Sequence, residues 1–249
     1  MLTKLLVICP LVFLGGFIDA IAGGGGLITL PAYMLVGLPV HSCIATNKIS
    51  SGMGTGMAAY KYARAGFIQW KKALPCVIMA LFGSAIGANI ALHVSDRYFR
   101  IFMLIALPVV AFYVLKTKNF SEPKEKYSDG VTIIIGCLIA FFIGGYDGFF
   151  GPGTGTFMIL CFTAITHLDV TEANGITKAI NFASNMSALV VFLMSGKVII
   201  PLGLIAGCFN MLGNYIGASL FQKEQARLVR PFMLVVLVIF FIKLLTELV

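Results

Sequence analysis

Charged residues are scarce in this sequence. Of its 249 residues only 11% are charged and 59% are hydrophobic, and the mean hydropathy is +0.97. A soluble domain carries about a quarter charged residues, so this chain cannot cover a water-facing surface. The scarcity predicts a membrane protein, in which spans of about 20 apolar residues would give about seven to nine crossings. A large soluble domain on either side is excluded.

The sequence also lacks the motifs of several function classes. It contains no GxxxxGK[ST] phosphate loop, no HExxH zinc motif and no hydrolase elbow, so we predict no enzyme. The six cysteines are isolated, so we expect no disulfide framework, metal centre or cofactor. The net charge of +8 comes from basic residues scattered between apolar segments, which favours loop anchors and predicts no nucleic-acid partner.

Apolar stretches fill almost the whole chain. They cover 2–22, 27–38, 42–65, 73–93, 98–116, 131–150, 154–166, 170–195, 198–221 and 228–248. The long hydrophilic stretch KTKNFSEPKEKYSDG, at 116–130, predicts a solvated loop between two halves. The predicted organisation is a first transmembrane repeat at 1–116, a charged connecting loop at 117–130 and a second transmembrane repeat at 131–249.

The two halves resemble each other in sequence. The matches run at an offset of 128 residues and then, after a two-residue insertion, at an offset of 130. They pair Gly16, Asp19, Gly23, Gly25, Lys48, Gly66, Gly83 and Gly87 with Gly144, Asp147, Gly151, Gly153, Lys178, Gly196, Gly213 and Gly217. The pattern predicts an internally duplicated helical bundle.

Each half opens with two apolar arms that meet at glycines. Together the arms would form roughly 50 Å of helix, which is too long for one broken span of a 30 Å hydrocarbon core. We therefore predict a glycine-broken re-entrant helical hairpin at the start of each half, followed by three transmembrane helices. An odd number of crossings makes the repeats inverted, as in many alternating-access transporters. Loop charges fit inverted and parallel repeats equally, so this preference rests on length alone.

Two aspartates precede clusters of glycine at membrane depth. Asp19 is followed by GGGG at 23–26, and Asp147 by GPGTG at 151–155. Unwound backbone inside a membrane must line protein or a water-filled cavity, and the half-helix that follows would present free amides to an anion. The residues expected to present these amides are Gly24, Gly25, Gly153 and Thr154. The alternative is close helix packing through small residues. Asp19 and Asp147 would carry a coupling proton or orient the breaks.

A lysine heads a polar stripe on the next long helix of each half. Lys48, Ser51 and Thr55 share one helix face, and Lys178, Asn181 and Asn185 occupy the matching positions. A buried ammonium costs about 3 kcal/mol, which a bound anion or a carboxylate partner would offset. The predicted anion site also includes the neighbouring donors Asn47, Asn174 and Thr177. Alternatively, each lysine extends its ammonium to the membrane surface.

The same segments resemble a known family. FIDAIAGGGGLITLPAYMLVGLPVHSCIATNKIS in the first half, with GPGTGTF and EANGITKAINFASNMSALVVFLMSGKV in the second, looks like the TauE/SafE (TSUP) family of sulfite and organosulfur-anion exporters. The resemblance runs over nearly the whole chain and is to the branch of membrane permeases with poorly assigned substrates. It implies transport of small sulfur-containing anions, such as sulfite, sulfonates or sulfoacetate, across a bacterial-type inner membrane.

The sequence thus predicts an all-α polytopic secondary transporter of such anions that works by alternating access, with proton coupling as an option. A passive anion or solute channel is the alternative, and an intramembrane aspartyl enzyme is disfavoured because Gly145-Tyr146-Asp147 lacks the GxGD form. The expected partners are a small anionic substrate and the lipid bilayer. The chain would act as a monomer or a homodimer in the inner or plasma membrane.

Overall fold

The protein is helical in both halves. The computed structural model describes residues 2–95, 98 and 127–224, and over these it contains helices and no strands. The first half forms α1 (Leu2–Ala22), α2 (Gly26–Leu35), α3 (Val40–Arg64) and α4 (Trp70–His93). The second half forms α5 (Asp129–Phe149), α6 (Thr154–Ile165), α7 (Val170–Met194) and α8 (Ile200–Glu224). The predicted all-helical architecture is confirmed for this part of the chain.

Helix lengths follow the same order in the two halves. In the first half they are 21, 10, 25 and 24 residues, and in the second 21, 12, 25 and 25 residues. The predicted spans 98–116 and 228–248 and most of the loop 117–130 lie outside the described residues. The internal repeat, its inverted orientation, the re-entrant nature of the short arms and the domain bounds stay predictions.

Five of the described helices are long and apolar enough to cross a bilayer. They are α1, α4, α5, α7 and α8. The 25-residue α3 is long enough but is more polar, because its buried face carries residues such as Thr46, Asn47, Lys48 and Ser50. The described residues therefore belong to a multi-pass membrane protein, with α2 and α6 as short apolar helices between the long ones.

Glycines bring helices from different halves together. On α4, a Cβ added to Gly87 would lie 2.9 Å from the backbone nitrogen of Phe149 on α5. On α8, a Cβ added to Gly213 would lie 2.8 Å from the backbone nitrogen of Phe17 on α1. Helix axes can approach this closely only where side chains are absent. The outer helices of each half are thus packed against the other half, with α3 and α7 between them.

The short helices fold back on the helices that precede them. A Cβ added to Gly15 on α1 would lie 3.1 Å from the carbonyl oxygen of Gly25 and 3.6 Å from the side chain of Ile28 on α2. In the second half the Tyr146 hydroxyl of α5 donates to the carbonyl oxygen of Pro152 at 2.6 Å. Each turn therefore places a break in the helix next to an aspartate, Asp19 or Asp147.

Candidate functional site

The two helix breaks meet each other at the centre of the bundle. Gly23 has φ +78°, which favours glycine, and a Cβ added there would overlap the backbone of Gly155. The backbone N–H of Thr156 donates to the Gly23 carbonyl at 3.2 Å, and its hydroxyl donates to the Ala22 carbonyl at 2.8 Å. The unwound backbone of one half is therefore hydrogen-bonded to the other half, as burial away from water requires.

Lys48 of the first half pairs with Asp147 of the second. Its ammonium lies 3.1 Å from Asp147 Oδ1 and also donates to the Asp147 carbonyl oxygen. The Ser184 hydroxyl, on α7, donates to Asp147 Oδ2 at 2.6 Å. The Thr154 hydroxyl lies 3.1 Å from Asp147 Oδ1 and 2.6 Å from the Gly151 carbonyl. Asp147 therefore has hydroxyl groups as well as a cation around its carboxylate.

Lys178 of the second half pairs with Asp19 of the first. Its ammonium lies 3.1 Å from Asp19 Oδ2 and donates to the Asp19 carbonyl oxygen. The backbone N–H of Gly25 donates to Asp19 Oδ1 at 3.2 Å. Lys48 and Lys178 are only 1% and 0% exposed, so neither extends its ammonium to the surface. Each buried lysine is thus neutralised by a carboxylate that belongs to the other half.

A polar cavity of about 30 Å³ lies between the breaks and the two polar helices. This volume is enough for about one or two water molecules. Of the residues singled out from the sequence, its wall contains Asp19, Gly25, Asn47, Lys48, Ser51, Thr55, Asp147, Thr154, Asn181 and Asn185. The polar stripes of α3 and α7 therefore line one cavity.

Other predicted site residues lie off this wall. Lys178 reaches the cavity only through Asp19, while Gly24, Gly153, Asn174 and Thr177 are not among the lining residues. The amide of Asn174 instead donates to the carbonyl oxygens of Ala20 and Ile21 at 3.3 and 3.1 Å. It therefore holds the end of α1 in place.

Two of the four predicted backbone amides at the breaks have partners in this structure. The Gly25 N–H donates to Asp19, and the Thr154 N–H donates to the Gly151 carbonyl at 3.1 Å. An anion would compete with these bonds for the two amides. The Lys48 ammonium and neutral side chains are further hydrogen-bond donors on the cavity wall.

Sequence reasoning missed several polar groups around the cavity. Thr29 and Asn210 line it, and Ser184 holds Asp147. Ser184 follows Asn181 by three residues and so continues the polar stripe of α7, a signal that was visible. Asn210 and Asn214 are four residues apart on α8 and are hydrogen-bonded at 2.8 Å through their side chains. A buried pair of asparagines at helical spacing was a second signal.

Metal binding has no support in the part of the chain that the structure describes. No group of three or more His, Cys, Asp or Glu side chains there could hold an ion. The two central aspartates instead face lysines, which compete with any cation for their oxygens. The polar side chains around the cavity are suited to binding a small polar or anionic solute.

Comparison with known proteins identifies the family. The family model "Sulfite exporter TauE/SafE" matches residues 8–244. The chain belongs to this family. Members of the TauE/SafE family are membrane transporters by name, so the chain is a membrane transporter protein, as predicted.

Named relatives cover almost all of the chain. A probable membrane transporter protein, ORF9, of Sinorhizobium sp is 34% identical over 94% of this chain and 90% of its own length. A probable membrane transporter protein of Haemophilus influenzae is 30% identical over 90% and 87%. The probable membrane transporter protein YfcA of Escherichia coli K12 is 31% identical over 94% and 87%. No solved structure matches the chain significantly.

Proposed function

We propose that the protein is a secondary transporter of small sulfur-containing anions, of the sulfite, sulfonate or sulfoacetate type, in the inner membrane. Support comes from the family description and from one structural observation. The Lys48–Asp147 and Lys178–Asp19 pairs both lie next to a buried polar cavity where the two halves meet. Binding sites in secondary transporters are typically found at such breaks between repeats.

The site supplies positive charge to an anion without carrying net charge when empty. A buried ammonium alone costs about 3 kcal/mol, and each aspartate offsets that cost for one lysine. An entering anion would share the ammonium with the aspartate and accept hydrogen bonds from neighbouring groups such as Ser51, Thr55 and Asn185. Such charge-assisted hydrogen bonds are about twice as strong as neutral ones.

Proton coupling follows from the charge balance. With both pairs ionised the four groups sum to zero, and a bound monoanion brings the site to one negative charge. Uptake of one proton by Asp19 or Asp147 would restore neutrality in a region where net charge is costly. Anion and proton would therefore move together.

Alternating access would use the meeting point of the two hairpins. Each break is bonded to the opposite half, through Thr156 and Gly23 and through the two ion pairs. A rocking motion of one half against the other would change these contacts and open the cavity to alternate sides. The small volume of about 30 Å³ means that the cavity must widen to admit an anion.

The experiment is sulfite uptake into proteoliposomes under an imposed proton gradient. We expect saturable uptake against the sulfite gradient, and its loss in Lys48→Ala. Lys71→Ala is the matched control, because Lys71 is a surface lysine whose side chain is 78% exposed. Saturable uptake unchanged in Lys48→Ala would contradict the role of the cation. Non-saturable flux that never runs uphill would indicate a channel.

The coupling role is tested separately with Asp19→Asn and Asp147→Asn. We expect at least one of them to exchange sulfite across the membrane while losing the response to the proton gradient. If both variants respond to the gradient as the unmodified protein does, the aspartates do not carry the proton.

A further inference from the structure

The two buried lysines differ in what they can still bind. An ammonium has three N–H groups, and for each lysine the carbonyl oxygen and the carboxylate of its aspartate take two of them. Among the described residues neither lysine has a third acceptor. Lys48 is on the wall of the cavity and Lys178 is not. The free donor of Lys48 is therefore the one that a solute in the cavity can reach.

The neutral groups on the wall do not all come from matching positions of the two halves. Thr29 and Asn210 line the cavity, whereas the positions that match them in the other half are occupied by Phe157 and Ala80. Asn47 lines it too, while its counterpart Thr177 does not. Matching sequence positions in the two halves thus contribute different polar groups to the cavity wall.

Two of these wall residues have unused hydrogen-bonding capacity. Thr29 is 1% exposed and Asn181 is 4% exposed. The Thr29 Oγ1 and Asn181 Oδ1 atoms are buried without a hydrogen-bond partner among the described residues. A buried polar group without a partner costs about 1–3 kcal/mol. An anion that accepts a hydrogen bond from the Thr29 hydroxyl would remove that cost, whereas the Asn181 oxygen can only accept and needs an O–H or N–H donor.

The surroundings of the two aspartates also favour Lys48 as the lysine that can turn towards an anion. Asp147 receives a 2.6 Å hydrogen bond from Ser184, so its carboxylate keeps a short bond when Lys48 turns towards an anion. Asp19 has the longer 3.2 Å bond from the Gly25 backbone in addition to Lys178. Removing Lys178 from its aspartate would therefore leave the less well satisfied carboxylate of the two.

We infer that Lys48 is the lysine that contacts the transported anion, together with Thr29, and that Lys178–Asp19 joins the two halves without contacting the anion. This inference rests on the proposed function and refines it, since the sequence treats the two lysines as equivalent. Ser184 is a positioning residue, because it acts on the anion only through Asp147 and Lys48.

The test is equilibrium binding of sulfite to the purified full-length protein. Two charge-balanced variants of equal size are compared, Lys48→Gln/Asp147→Asn and Asp19→Asn/Lys178→Gln. Loss of a hydrogen bond to a charged group corresponds to about 10- to 100-fold in affinity, which we expect for the first variant. The second should keep saturable binding, weakened by about threefold or less, although its transport slows. As a check that they are folded, both variants must elute from size-exclusion chromatography at the same volume as the unmodified protein.

A milder variant keeps the inference testable if a charge-balanced variant does not fold. Thr29→Val should weaken sulfite binding by about three- to tenfold through the loss of one hydrogen bond. Thr163→Val is the matched control, because the Thr163 hydroxyl bonds within its own helix to the Ile159 carbonyl at 2.8 Å, and its binding should not change.

The outcomes separate the inference from the function on which it rests. Saturable binding to the unmodified protein with equal losses in the two charge-balanced variants, or with the larger loss in Asp19→Asn/Lys178→Gln, would overturn the role of Lys48. If Thr29→Val binds sulfite as tightly as Thr163→Val does, Thr29 does not belong to the site. An unmodified protein that neither binds nor transports sulfite would overturn both proposals.

Discussion

The two lysine–aspartate pairs occupy matching sequence positions but different surroundings. Lys48–Asp147 has the Ser184 hydroxyl beside it and faces the cavity, whereas Lys178–Asp19 is supplemented by a backbone N–H and lies with its ammonium off the cavity wall. Ser184 corresponds to Gly54 in the first half, where a Cβ would overlap the side chain of Asn210. Two ion pairs at matching sequence positions thus share their geometry while their neighbours differ, and the cation of only one of them lies on the cavity wall.

The largest expected effect tests whether each buried lysine pairs with the aspartate of the other half. Lys178→Ala should lower the free energy of unfolding by about 3–5 kcal/mol, because it leaves a buried carboxylate without its cation. Adding Asp19→Asn should restore much of the loss, whereas adding Asp147→Asn should not. Thermal unfolding of the purified variants measures both. Equal rescue by the two asparagines would mean that Lys178 has no specific partner.

A smaller effect compares the two left-handed glycines that match in sequence. Gly23 and Gly151 have φ +78° and +101°, so alanine costs about 1–2 kcal/mol at either. At Gly23 the new Cβ also meets the Gly155 backbone, whereas at Gly151 it lies 3.1 Å from Asp147 Oδ1 and Lys48 Nζ, which are side-chain ends. Gly23→Ala should therefore be the less stable variant in thermal unfolding.

Sulfite affinity provides the second comparison for these glycines. Among the molecules that fold, Gly151→Ala should show the larger relative loss of affinity, because its new methyl group presses on the Lys48–Asp147 pair. If Gly23→Ala instead folds normally and binds sulfite weakly, the close contact between the two helix breaks would be contradicted.

The last comparison isolates the hydroxyl that distinguishes the pairs. Ser184→Ala removes the bond to Asp147 and should destabilise the protein by about 1.5–3 kcal/mol. Ser187→Ala, on the same helix, removes a 2.7 Å bond to the Leu81 carbonyl at an exposed position and should cost under about 1 kcal/mol. In double variants, Ser184→Ala should be non-additive with Lys48→Ala and additive with Lys178→Ala.

The sequence predicted the helices better than the contacts between them. Glycine clusters and apolar periodicity place the bounds of α1 and α6 within a residue or two, because helix ends depend on local chemistry. The need for a carboxylate beside each lysine also follows from the cost of burying charge. Which aspartate serves which lysine does not, because Lys48 and Asp147 are 99 residues apart and Lys178 and Asp19 are 159 apart.

The site was predictable in its residue types and not in the position of each lysine relative to the cavity. The stripes headed by Lys48 and Lys178 look alike in sequence, yet only Lys48 lies on the cavity wall. The wall also includes Thr29 and Asn210, which come from α2 and α8. Neither residue lies near the lysines in sequence, and neither has a polar counterpart at the matching position.

The crossed ion pairs also bear on how the chain is made. A ribosome adding about 5–20 residues per second needs roughly 8–30 s to travel the 159 residues from Asp19 to Lys178. Lys48 likewise waits 99 residues for Asp147, so for much of that time neither Asp19 nor Lys48 has its final partner. The first half therefore enters the membrane with one acidic and one basic side chain whose final partners belong to the second half.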